Sequence, residues 1–122
     1  MHTGLDTLES PFQVADDTWL QIIEHDNDSL PLVAYLPDDP DHGQVCRIKN
    51  LNTNSDMHIL VEVNSTQIGN GITIDKRFTS VQLNGPGSTS SPDTQTNQCC
   101  TMVYFHVATP DSGFWTRVGD GY

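Results

Sequence analysis

The chain has 122 residues, three cysteines and a formal charge of −11, with a pI near 4.4. That length suits one domain with one core. The acidity excludes a protein that wraps a phosphate backbone, since cations supply that affinity, and no run of about 18 apolar residues exists to cross a membrane as a helix. The charge is uneven: residues 1–46 hold ten Asp or Glu and no Lys or Arg, whereas residues 47–122 hold six acidic and five basic residues.

Residues 1–17 carry Pro11 and few large apolar groups beyond Leu5, Leu8, Phe12 and Val14. They read as an extended arm, either a disordered terminus or a segment that becomes ordered on a partner. In the second reading Phe12 and Val14 are anchors, and Asp16 and Asp17 meet a basic surface. The first residues lack the basic and apolar regions of a secretory signal, so synthesis in the cytoplasm is expected. Residues 18–23 form a first strand, closed by the polar cluster from Glu24 to Ser29. Asp26 and Asp28 lack the later Gly and Glu of a calcium loop, which makes this a solvated turn. Residues 30–36 form a second strand with Pro31 near its start, followed by an acidic loop from Pro37 to Gly43.

Residues 43–51 and 57–63 alternate apolar and polar side chains with the period of two that a half-buried strand requires. Cys46 and Ile48 lie on one face of the first run, and Ile59, Val61 and Val63 on one face of the second. Joined by polar residues 52–56, they predict an antiparallel pair. A further run follows Gly69, Asn70 and Gly71, through Ile72, Ile74, Val81 and Leu83. Residues 84–98 contain no large apolar side chain and read as a projecting surface loop.

Residues 99–108 resume strand character, with Val103, Phe105 and Val107 on one face and Met102, Tyr104 and His106 on the other. Both faces are apolar, so the strand is central or its second face meets another subunit. A turn from Pro110 to Gly113 leads to a last strand over residues 114–119. Seven or eight short strands with no helix predict an all-β fold, an antiparallel β-sandwich of jelly-roll type over residues 18–122 with an extended N-terminal arm.

The order of several pieces resembles the small β domain of bacteriophage tail fibres, tailspikes and capsid decoration proteins. They are Leu36-Pro37, Gly43 with Ile48-Lys49-Asn50, a glycine-centred turn, Ser80-Val81 with Leu83, and Trp115 with Val118-Gly119. The resemblance implies a structural virion part that assembles as a homotrimer and carries no active site. The loop at 84–98 and the acidic arm depart from the family pattern. A chain of this size, without shaft repeats, suits a cement protein on the capsid surface, partnered by the major capsid protein. In that reading Met102 and Tyr104 form the subunit face, and the arm residues Phe12, Val14, Asp16 and Asp17 touch the shell. The alternative is a tail-fibre or receptor module in which Trp19, Tyr35, Tyr104 or Trp115 stacks on a glycan.

Catalytic, cofactor and metal signals are missing from the sequence. His2, His25, His42, His58 and His106 fall in different segments without the spacing of a zinc site. Cys99 or Cys100 with His106 as base would be the only nucleophile pair, and packing explains those cysteines more simply. Cys46 reads as a core thiol. The sequons at Asn27 and Asn64 are patterns that arise by chance.

Overall fold

Runs of period two bury every second side chain, and the runs must then find partners. In the computed structural model, which describes residues 2–5, 11–24, 32–51, 58–83, 99–107 and 112–118, ten strands and one helical turn form. In chain order these are β1 (His2–Leu5), β2 (Phe12–Gln13), β3 (Leu20–Glu24), β4 (Leu32–Tyr35), β5 (Val45–Asn50) and β6 (Ile59–Glu62). There follow α1 (Ser65–Gly69), β7 (Thr73–Ile74), β8 (Ser80–Leu83), β9 (Cys99–Val107) and β10 (Ser112–Arg117). The expected loop at 84–98, the turns at 25–29 and 52–56, Pro31 and the sequon at Asn27 lie outside the described residues.

The first six strands alternate between two sheets. One sheet has the order β1-β3-β5-β9-β10-β7 and the other the order β2-β4-β6-β8. Each passage from one sheet to the other and back lays a new strand parallel to the one before. Thus β3 runs parallel to β1 and to β5, and β4 runs parallel to β2 and to β6. Leu20 pairs with Arg47 in one sheet and Leu32 with Ile59 in the other, the same offset in both. Antiparallel strands then close the stack, with β8 on β6 and β9 on β5.

The all-β reading holds, and both sheets are mixed in direction. The runs at 43–51 and 57–63 are therefore not the antiparallel neighbours that alternation suggested. β5 lies in one sheet and β6 in the other. Likewise Ile74 and Leu83, read as one run, separate into β7 and β8 on different sheets. The physical reason is that a period of two records which face is buried and says nothing of strand direction or partner. The inward side chains of both sheets meet in one cluster. Ile23, Cys46, Ile48, Met102 and Trp115 come from the larger sheet and Leu32, Ala34, Ile59, Val61 and Leu83 from the smaller.

The described part of residues 1–17 belongs to this architecture instead of projecting from it. β1 extends the larger sheet and β2 the smaller. Val14 is fully buried and donates its N–H to the Tyr35 carbonyl at 3.0 Å, while Phe12 packs on the core. The helix α1 was not expected, although its signal is in the sequence. Asn64 caps it by accepting from the Gln67 N–H at 2.9 Å, and the Gln67 side chain accepts in return from the Asn64 N–H at 3.2 Å. This reciprocal Asn-x-x-Gln cap satisfies two orphan donors.

At the closing end, Tyr104 and Trp115 face each other across β9 and β10, with ring centroids 5.3 Å apart. Gly113 lies under that ring: a Cβ there would meet the Tyr104 phenol and the Phe105 carbonyl. Because backbone cannot move aside cheaply, Gly113→Ala is expected to destabilise the fold by about 2 kcal/mol or more. Urea denaturation followed by tryptophan fluorescence measures this, and an unchanged midpoint would refute the packing described.

Candidate functional site

The alternation that fills the core also fixes what the larger sheet shows on its other side. Val45, Arg47 and Lys49 of β5 point outward, as do Cys99, Thr101, Val103, Phe105 and Val107 of β9 and Phe114 and Thr116 of β10. Register makes the apolar members neighbours: Val45 pairs with Val103, and Phe105 with Phe114. The rings of Phe105 and Phe114 stack at 5.5 Å. Val45 is 42% exposed, Phe105 38% and Val107 37%. A contiguous apolar patch on so acidic a chain is the feature that marks an interaction surface.

Cations lie along this face. Lys49 sits opposite Cys99, and Arg47 opposite Thr101, to whose hydroxyl it donates at 3.0 Å. Lys76 places its ammonium 4.9 Å from the centre of the Phe114 ring, within the range of a cation–π contact. The turn that presents Lys76 is costly. Asp75 and Lys76 both have positive φ, 54° and 66°, a region that non-glycine residues enter at a cost of about 1–2 kcal/mol each.

What holds that turn is the Asp75 carboxylate. It accepts from the Arg117 backbone N–H at 3.0 Å, from the Thr116 hydroxyl at 3.0 Å and from the Arg117 guanidinium at 2.7 Å. Partial burial pushes the Asp75 pKa up. The three hydrogen bonds, with the charge of Arg117, outweigh that and hold it below the usual carboxylate value.

At the Phe105 end of the face the charge reverses. Asp16, Asp17, Asp39 and Asp41 line a cleft of about 330 Å³ together with Trp19, Gln44 and Val45. A second cleft of about 440 Å³ opens on the other side of the acidic loop, lined by Asp38, His42, Tyr104 and His106 among others. The loop between the clefts is tied down. Asp16 accepts from the N–H groups of Asp38 and Asp39 at 2.9 and 3.2 Å, and Gln44 accepts from the Asp41 N–H at 3.0 Å. Gln67, 1% exposed, donates to the Pro37 carbonyl at 2.9 Å. The Asp39 and Asp41 carboxylates therefore stand on a fixed backbone.

The residues expected to touch partners are redistributed. Met102 and Tyr104, assigned to a subunit face, are 0% and 4% exposed and belong to the chain's own core. The outward face of β9 is the other one, carrying Val103, Phe105 and Val107. Phe12 and Val14 pack inward, and Asp16 is occupied in bracing the acidic loop. Asp17 remains on the surface. Of the four aromatic side chains considered for stacking, Trp115 and Tyr104 are buried, Tyr35 is half-buried and Trp19 is 52% exposed.

Cys99 and His106 lie at opposite ends of β9, about 20 Å apart at strand rise, so they form no nucleophile and base pair. His42 instead accepts from the His106 backbone N–H through Nδ1 at 3.0 Å. Among the described residues no group of three His, Cys, Asp or Glu side chains converges as a metal site would require, and no helix is long and apolar enough to cross a membrane. No known protein family, characterised protein or solved structure matches the chain.

Two outcomes test this geometry. The Asp75 carboxylate has a lowered folded pKa, so its contribution is complete above the unfolded value near 4 and is lost as pH falls through the folded one. Asp75→Asn is expected to cost about 1 kcal/mol at neutral pH. The gap from the parent should close in strong acid, as chemical denaturation across pH will read out. Burial pushes the Cys46 and Cys100 thiols up to about 12, whereas Cys99 is half-buried on the outer face. A thiol reagent at mildly alkaline pH should therefore label one cysteine in the folded protein and the other two only in denaturant.

Proposed function

We propose that this chain is a structural, non-catalytic component of a bacteriophage particle, set on the outer surface of the head as a decoration protein. The observation that carries the reading is the outer face of the larger sheet. An apolar surface around Val45, Phe105 and Phe114 on a chain of charge −11 fits a protein that is covered when assembled. Further support comes from where the phage-like sequence pieces fall. Ile48 and Asn50 point inward from β5, Lys49 points outward, Leu83 ends β8, and Trp115 is the bulkiest fully buried side chain. Leu36, Ile48, Leu83 and Trp115 of these pieces meet in one core. Asp17, exposed beside that face, supplies negative charge for the major capsid protein.

A second reading rests on Trp19. Its exposed indole beside Asp17, Asp39, Asp41 and Gln44 combines a stacking platform with hydrogen-bond acceptors, as a glycan or receptor module at a tail tip requires.

Mixing the purified protein with empty heads separates the two. Co-sedimentation at hundreds of copies per head is expected for the decoration role. Failure to bind heads, with Trp19-dependent binding to host cells, would replace it with the second reading.

A further inference from the structure

The outer face of the larger sheet has a direction. Along β5, Lys49 and Arg47 occupy one end and Val45 the other, next to the cleft that holds Asp17, Asp39 and Asp41. Phe105 and Phe114 share the Val45 end, and Leu20 and Ile22 flank Arg47 and Lys49 on β3. Along β5 the surface therefore runs from cationic, through apolar, to acidic, with Lys76 to one side of this strip over Phe114. Among the described residues Lys49 makes no ion pair within the chain, and the Asp39 and Asp41 side chains are exposed.

A strip of this kind is complementary to itself. If a second copy is turned by a two-fold rotation about an axis lying in the face and perpendicular to the strands, each end meets its opposite. The Lys49 end of one copy then stands over the Asp39 and Asp41 end of the other, twice, and the apolar centres cover each other. Such an isologous contact closes at two copies and leaves no strip open.

We infer that the outer face of the larger sheet is the contact between two copies of this chain, paired face to face with Lys49 against the acidic loop. The inference rests on the proposal that this face is covered on assembly, and not on which particle the chain belongs to. The central strands β3, β5, β9 and β10, between five and nine residues long, present at about 4.8 Å spacing a face on the order of 400 Å² per copy, the size of a weak, transient contact. Association through a face of this size is weak, and the fixed acidic loop supplies register more than affinity.

Sedimentation of the full chain across the micromolar range, without heads, tests this. The parent protein is expected to pass from monomer to dimer. Phe105→Ser should remove the dimer. Lys49→Glu alone, and Asp39→Lys with Asp41→Lys, should each weaken it about tenfold, and the triple variant should recover most of the loss by restoring opposite charges. Circular dichroism and a thermal melt on each variant confirm that it is folded. A parent that stays monomeric, forms a trimer, or dimerises regardless of Phe105 and Lys49 overturns the inference, as does a triple variant no better than its parts. Head binding is scored separately, so a monomer that still coats heads would sink this contact and leave the decoration role standing.

Discussion

A chain that crosses from one sheet to the other at nearly every step must satisfy two faces at once. Each inward side chain of β3 or β5 is placed by its own strand and also by what β4 and β6 bring from across the core. This constraint sets the rest. It makes the neighbours parallel, because the chain returns to each sheet running the same way, and it leaves the ends of the stack to be closed by strands of opposite direction. The closure on β5 by β9 matters most. It brings Met102 and Tyr104 over the core and, by the same alternation, turns Val103, Phe105 and Val107 outward. Core and interaction surface are two sides of one strand.

The corner structures follow from the same demand. At the described corners, backbone groups without a ladder partner are taken up by nearby side chains. Asp16, Gln44 and Gln67 do this for the acidic loop, and Asp75 does it where β7 meets β10. Electrostatics here is local. The carboxylates that brace a loop are partly neutralised by N–H groups, while those of Asp17, Asp39 and Asp41 are left exposed at one end of the larger sheet.

Burial was legible in the sequence and partnership was not. The inward sets Cys46 and Ile48, and Ile59, Val61 and Val63, were read correctly from their spacing, because the pattern of exposure is a property of each strand alone. Pairing depends on where the chain goes after a strand ends, and that information lies in long crossings with no local signature. For β9 both faces are apolar, so spacing could not decide which one the core would take, and the assignment of Met102 and Tyr104 to a partner inverted the strand. The capping signal from Asn64 to Gln67 is present in the sequence, but its first three residues also spell a sequon, and so short a turn has no periodicity to mark it. The acidic half of the candidate surface was visible as composition. Its bracing by Asp16 was not, because that role needs the loop and the carboxylate side by side.

One feature of the topology bears on how the chain reaches this state. Among the described strands, β9 and β10 are the only consecutive pair that hydrogen-bond to each other, and every other pairing joins segments separated by an intervening element. Local structure can thus form early in a single hairpin, with Trp115 and Tyr104 already in contact. Everything before it must wait for distant segments to meet, at the loop-closure entropy such meetings carry. The hairpin of β9 and β10 is therefore the natural nucleus, onto which the strands that precede it must assemble.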